Sequence, residues 1–402
     1  GTRAAGAGVG LVAAIVGLAL LVLIHEAGHF FAARAVGMTP RKFYLGFGPP
    51  LVKKTRGLVE YGIGSLPLGG YVKIPGMNRP SPGDLRRLLD PLVAHEHEAE
   101  LESFDAAIAR GDFDDAREQL AGLRPELGEV RGLPELQWSL EPDAYWRQNT
   151  WRRLVAIGAG PAVNLIFAFL LFTGLFVVAT TKQTNVIGRV LTGSPAASAG
   201  LHAGDRVVSI AGRRVRPKDI PTVIRATRGS PFRMVVDRAG KPKAIGPVSA
   251  RVTDGAYRIG ISIEARTGPG ESLGAAAKDS VSLSWSITAD TVRGLGHLAT
   301  GRDTNQVSSS VGIVRTSAQA WRDGVRDFLF VLGLISLALG LLNLLPVLPL
   351  DGGHIVIALV EKLRGRTFSQ AVYLRYSVVG LTIFAILFYF GLRNDLFGSG
   401  GG

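Results

Sequence analysis

The sequence predicts an α-helical polytopic membrane protein with four transmembrane spans, into which a small β-rich domain and a cytoplasmic helical insert are set. Three observations predict it. The 402 residues are 47% hydrophobic with mean hydropathy +0.25, high for a chain that also carries a net charge of +13. Four stretches stay apolar over the ~20 residues that a helix needs to cross a bilayer. Between them lie two long polar segments, one of short alternating runs and one acidic with helical periodicity.

Residues 1–36 hold the first span, where the apolar run from Leu11 to Ile24 continues into HEAGHFFAARAV. No A-x-A site directly follows that run, so it reads as a retained span and not as a signal peptide. Residues 37–83 include GLVEYGIGSLPLGGYVKIPG, whose Gly, Val, Ile and Tyr content predicts a membrane-associated β-hairpin and loop region. In 84–148 the stretch LESFDAAIARGDFDDAREQLAGL repeats apolar residues at helical spacing on both sides of a Gly-Asp break, which predicts a pair of short amphipathic helices. The second span occupies 149–181. Residues 182–268 carry NVIGRVL, DRVVSIAG, FRMVVDR and YRIGISI, four alternating segments separated by turns, ending at the linker TGPGE. Residues 269–326 read as amphipathic helices at the membrane surface, and 327–354 as a third span broken by Pro346 and Pro349. A cytoplasmic loop at 355–371, a fourth span at 372–393 and a linker-like tail at 394–402 complete the chain.

Charge and cysteine content exclude several classes. Between residues 78 and 148 there are 16 Asp and Glu against 8 Lys and Arg, so the basic excess lies near the apolar spans, where it argues for membrane flanks over nucleic acid. With no cysteine there are no disulfides, thiolate ligands or cysteine nucleophiles, and any metal must be held by His, Asp or Glu. The short loop EKLRGR between the last two spans is basic, which sets it in the cytoplasm. The acidic insert is then cytoplasmic too, and the β-rich domain and both termini face outward.

The segment LVLIHEAGHF sets two imidazoles and a carboxylate at the end of a membrane-grade run, where bare polar groups are costly. HEAGH matches H-E-x-x-H: on a helix, His25 and His29 lie on one face within reach of one zinc ion, and Glu26 can act as general base toward water. The competing reading, two surface histidines flanking a glutamate by accident, leaves those groups unsatisfied in an apolar helix. A catalytic zinc keeps three protein ligands, so a third is needed. Asp351 in NLLPVLPLDGGH is the candidate, an acid at the end of an apolar span with two glycines behind it. His25 stands about 21 Å along the first span from Leu11, and Leu345 about 26 Å along the third from Phe328, so both sets reach the cytoplasmic half of the bilayer. His354, one turn past Asp351, reads as a supporting group.

HEAGHF, GSLPLGGYVKIPG, RLVAIGAGPAVN and NLLPVLPLDGGHI occur in that order over nearly the whole chain, and together they resemble the site-2 protease family. Within it they more closely resemble the bacterial RseP-type branch with a single PDZ domain, as in actinobacteria. The resemblance implies an intramembrane zinc metalloprotease that cuts membrane proteins in or near their spans, with one zinc on His25, His29 and Asp351 and Glu26 as catalytic base. It implies that Asn343 helps near the scissile carbonyl or anchors the substrate strand, with helix capping as the alternative, and that Asn164 supports the core. It implies a location in the bacterial cytoplasmic membrane and a role in regulated intramembrane proteolysis of pre-trimmed substrates such as an anti-sigma factor or a remnant signal peptide. SPAASAGLHAGDRVVSIAGRRV resembles the signature of bacterial PDZ domains, which take extended peptide tails by strand addition.

A helix hides its peptide bonds, so a substrate must be extended before it is cut. The Gly62–Val72 segment offers an edge for it, with Gly64, Leu68, Gly69, Gly70 and Tyr71 as candidate substrate contacts. The partners expected are membrane-protein substrates, their tails at the PDZ domain, and a cytoplasmic partner of the acidic insert. Two rival readings are a non-catalytic PDZ scaffold and a membrane-anchored zinc peptidase with a solvent-facing site.

Overall fold

In chain order the N-terminal part folds as α1 (Thr2–Ala35), β1 (Lys42–Arg56), β2 (Val59–Lys73), α2 (Asp84–Leu88), α3 (Pro91–Glu96), α4 (Glu98–Arg110), α5 (Phe113–Leu127), α6 (Leu133–Leu140) and α7 (Thr150–Val178). The middle holds β3 (Ala179–Val190), α8 (Pro195–Ser198), β4 (Arg206–Ile210), β5 (Arg213–Arg214), α9 (Ile220–Ala226), β6 (Phe232–Arg238), β7 (Lys241–Val248), β8 (Arg251–Thr253), β9 (Ala256–Arg258) and β10 (Ile261–Pro269). The C-terminal part is α10 (Leu273–Ala299), α11 (Ser310–Asp323), α12 (Val325–Asn343), α13 (Asp351–Arg364) and α14 (Gln370–Phe397). These elements come from a computed structural model that describes residues 2–253, 256–299, 310–368 and 370–397. The chain divides into two units, Gly1–Phe172 with Asp279–Gly402, and Thr173–Lys278.

Four helices, α1, α7, α12 and α14, contain stretches long and apolar enough to cross a membrane: Gly8–Ala35, Thr150–Val178, Val325–Asn343 and Val372–Arg393. Their lengths follow from predominantly Leu, Val, Ala and Phe runs, and the helix starts and stops are local. Asn149 Oδ1 accepts from Arg152 N–H at 2.9 Å at the head of α7. Gly37, at φ +89°, ends the chain's first helical stretch. Small residues let helices approach: a Cβ on Gly28 of α1 would come within 2.7 Å of the Ala159 carbonyl oxygen of α7, and one on Gly340 of α12 within 3.0 Å of the Pro161 oxygen. α11 lies against α1 and α12 through Leu21, Ala320, Phe328 and Leu332.

β1 and β2 are more than one hairpin. Lys42–Leu45 pairs on one side with Glu60–Ile63 and on the other with Gly70–Lys73, while Val52–Arg56 pairs with Val59–Ile63. The ribbon therefore doubles back into four short segments, with Gly70–Lys73 on an outer edge. The expected edge at Gly62–Val72 is thus confined to its last residues, because Gly62 is flanked by both Tyr44 and Lys53.

The acidic insert forms five helices, α2–α6, where a pair was expected. The extra helices are short and locally capped, with Asp90 accepting from Leu92 N–H and Asp112 from Asp115 N–H. They close over a core of Leu85, Leu101, Phe104, Ala107, Leu120, Leu133 and Leu140. Arg41 holds Asp143 through both guanidinium nitrogens at 2.9 and 3.1 Å, and Asp143 also accepts from Thr39 N–H at 3.0 Å. Tyr145 and Trp146 N–H donate to the Pro75 and Gly76 carbonyls at 2.8 and 3.1 Å.

The second unit is built on an antiparallel sheet in the order β10-β3-β4-β6-β7, with β5 paired to β4. Ile187, Val207, Ile210, Met234, Val236 and Ile259 form its core beneath α8 and α9. All four segments read from the sequence contribute strands. β7, KPKAIGPV, was not read, because only its Ile245 and Val248 are buried and the rest is exposed.

Candidate metal centre

α1 delivers His25 and His29 one turn apart, both 7% exposed. α12 stops at Asn343, and the chain turns through Pro346 and Pro349 before α13 opens on Asp351. The two glycines behind Asp351 are needed for that turn to sit on the helix: a Cβ on Gly352 would fall 2.3 Å from the Leu344 and Leu345 oxygens, and one on Gly353 2.5 Å from Leu348 N. Asp351 Oδ2 is brought to 3.3 Å from His25 Nε2 and 3.3 Å from His29 Nε2, and the two Nε2 atoms are 3.3 Å apart.

That equilateral triangle can be tested against a metal. Ligands at ~2.05 Å in tetrahedral geometry are separated by ~3.3 Å. Asp351 Oδ2 is buried with no hydrogen-bond partner, an orphan that a cation would satisfy. His29 Nδ1 donates to the Ala156 carbonyl of α7 at 3.0 Å, which leaves Nε2 as the nitrogen that faces the cluster. Two imidazoles and one carboxylate are a donor set suited to zinc, and the residues present fit it. Among the described residues, His25, His29 and Asp351 are the group able to hold a metal.

Glu26 stands beside this triangle on the wall of a cavity of 1050 Å³, which is also lined by Gly70, Tyr71, Asn343 and His354. The Gly70–Lys73 edge passes directly over it. A Cβ on Gly70 would lie 3.1 Å from Glu26 Cγ, and the Val72 N–H interacts with the Glu26 carboxylate. Asn343 Nδ2 donates to the Leu339 carbonyl one turn back along α12 at 3.0 Å, and the residue lines the cavity.

The remaining site candidates fall elsewhere. Gly64 pairs with Pro50 away from the edge, and Gly69, at φ +86°, makes the bend under the Phe47 ring that starts the edge segment. The side chain of Leu68 lies outside the described residues. Asn164 is fully buried where α7 meets α12, its carbonyl accepting from Ser336 Oγ at 2.9 Å.

Sequence reasoning missed Gly160. A Cβ there would sit 2.2 Å from His29 Nε2, so α7 must be bare at that position to admit the imidazole. The signal was present as GAG before Pro161 in the second span. It also missed that the insert reaches the cavity, where Arg87, Leu88, Glu135 and Trp138 line the wall.

An H-E-x-x-H helix joined by an aspartate from a broken helix, among spans of membrane length, defines a membrane metallopeptidase. The chain belongs to peptidase family M50, the site-2 protease family, whose model matches residues 13–387. It is 27% identical to the zinc metalloprotease RasP of Bacillus licheniformis, over 94% of this chain and 96% of that protein. It is 29% identical to the metalloprotease MmpA of Caulobacter vibrioides, over 96% of this chain and 95% of that protein.

Proposed function

We propose that this chain is an intramembrane zinc metalloprotease that hydrolyses peptide bonds of membrane proteins in or near their spans, with His25, His29 and Asp351 as zinc ligands and Glu26 as general base and acid. The single observation that carries this reading is the 3.3 Å triangle of His25 Nε2, His29 Nε2 and Asp351 Oδ2 beside the Glu26 carboxylate. Bound there, zinc supplies Lewis acidity toward water and the scissile carbonyl. Glu26 takes the proton of the attacking water and returns it to the leaving nitrogen. The Ala156 carbonyl holds His29 in one tautomer through its Nδ1–H. The Gly70–Lys73 edge receives the substrate as an added strand, because its outward backbone groups face the Glu26 side of the cavity. Asn343, on the cavity wall at the end of α12, anchors that strand. Asn164, fully buried where its backbone carbonyl accepts from the Ser336 hydroxyl of α12, supports the core.

The unit Thr173–Lys278 acts as an outward-facing PDZ domain that takes substrate tails, supported by its antiparallel sheet flanked by two short helices and by the SPAASAGLHAGD sequence. The basic EKLRGR loop supports a cytoplasmic position for the active-site opening and the insert in a bacterial plasma membrane. The test is expression of wild type and Glu26→Gln followed by membrane proteomics: transmembrane remnants accumulate in the variant, which keeps its zinc. Equal turnover of every remnant in the two strains refutes the role of Glu26.

A further inference from the structure

The metal triangle, Glu26 and the insert line one and the same cavity. Arg87 and Leu88 of α2 and Glu135, Leu136 and Trp138 of α6 all line it. The insert is fixed there. Its end is tied to the chain before β1 by the two-nitrogen Arg41–Asp143 pair. A Cβ on Gly76 would lie only 2.6 Å from Ala144 Cβ, so the backbone that leaves the edge segment runs directly against the insert. Lys73 Nζ, at the end of the edge, pairs with Glu135 and stands 5.6 Å from the centroid of the Trp138 ring. The edge therefore passes Glu26 between Gly70 and Val72 and ends at Lys73 beside Trp138, so Glu26 and Trp138 lie one to three residues apart along it.

We propose that the insert is the outer wall of the substrate cleft, and that Trp138 and Leu88 form a specificity-determining apolar subsite for a large apolar or aromatic side chain within about three residues of the scissile bond. The inference rests on the strand-addition reading above. Charge does not set the preference, because the charged groups around the subsite are already engaged. Lys73 pairs with Glu135, Arg87 pairs with Asp84, and Arg79 lies over the Phe113 and Trp146 rings. What the subsite offers an extended chain is the half-buried indole of Trp138 and the half-buried Leu88, which reward apolar area. A strand held only by backbone pairing carries little sequence demand, so this subsite is where selectivity on that side of the bond arises.

The test uses the full chain in lipid vesicles with a panel of single-span substrates carrying Phe, Leu, Ala or Lys at each of several positions on either side of the cleaved bond. In wild type one position favours Phe over Ala by about tenfold in kcat/KM. Trp138→Ala reduces that ratio to near one, mainly through KM, while Trp138→Phe keeps it. An unchanged ratio in Trp138→Ala, or no discriminating position in wild type, overturns the subsite. Should Trp138→Ala fail to fold, Trp138→Gln carries the same comparison.

A second readout separates the subsite from the reading beneath it. The chain has no cysteine, so an introduced one is unique. In a Glu26→Gln background, Val72→Cys and Trp138→Cys each form a disulfide with a substrate cysteine walked along its span, at nearby substrate positions. Bonds at Val72→Cys with none at Trp138→Cys overturn the subsite and leave strand addition standing. Bonds at neither overturn both.

Discussion

Gly160 gives the sharpest quantitative prediction, because a single methyl there tests the proposed metal site without replacing any of its ligands. In the structure a Cβ at position 160 lies 2.2 Å from His29 Nε2, 2.5 Å from Cε1 and 2.7 Å from Cδ2. Ordinary contact needs ~3.5 Å, so the imidazole of Gly160→Ala must move by at least ~1.3 Å. The ring cannot swing freely, since its Nδ1 is held by the Ala156 carbonyl at 3.0 Å. Metal-ligand distances tolerate only about ±0.2 Å, so the variant loses His29 as an effective ligand. Disturbing a supporting hydrogen bond costs about 10–100-fold in metal affinity, which makes ~100-fold, or ~2.7 kcal/mol, a lower bound here. The assay is zinc content of purified full-length protein at a series of buffered free zinc concentrations, with Gly158→Ala as control. Gly158 lies on the same helix with its nearest neighbour, Ile355 Cδ1, at 4.0 Å. Its alanine variant keeps wild-type affinity and gains up to ~1 kcal/mol of helix stability. Equal zinc affinity in Gly160→Ala and wild type refutes the packing argument.

Four further outcomes are expected. Removal of metal with a chelator abolishes cleavage, and added zinc restores it, read as release of a labelled substrate fragment. Glu26→Gln lowers cleavage by at least ~100-fold with zinc content unchanged, the loss expected when a general base is removed. Arg153→Met leaves Glu361, 4% exposed and paired to Arg153 at 2.5 Å, without its cation; the cost is about 3–5 kcal/mol in unfolding free energy, and α13, which carries Asp351, loosens. In the second unit, burial alone would raise the Asp205 carboxyl, but the Arg238 guanidinium and the His202 N–H hold it below its ordinary range. A depressed carboxyl contributes stability that is present above the unfolded-state pKa of ~3.9 and lost as pH falls through the lower folded value. The melting temperature of that unit therefore falls steeply in acid for wild type and flattens in Asp205→Asn.

The site was legible in the sequence to the extent that its chemistry is local. His25, Glu26 and His29 announce themselves because a helix of period 3.6 puts positions four apart on one face. Asp351 could be paired with them across more than 300 residues because it is an acid at a proline-broken span of matching depth. The four strand segments of the second unit were legible from alternation alone. What could not be read depends on contacts between distant segments. The doubling of β1 and β2 is set by which residues meet across the ribbon, and no period in the sequence says that Tyr44 lies between Gly62 and Tyr71. The docking of the insert depends on the Arg41–Asp143 and Lys73–Glu135 pairs, whose members are 102 and 62 residues apart. Gly160 was visible only as one more small residue in an apolar helix, and its meaning comes from the histidine that fills the space beside it.

Zinc-edge X-ray absorption on the purified full-length chain tests the central claim most directly. The expected result is one zinc per chain, bound by two imidazole nitrogens and carboxylate or water oxygens at ~2.0–2.2 Å, with His25→Ala, His29→Ala and Asp351→Ala each losing it. A zinc signal that survives Asp351→Ala with an unchanged first shell, or a wild-type protein that cleaves substrate with no bound metal, would contradict it.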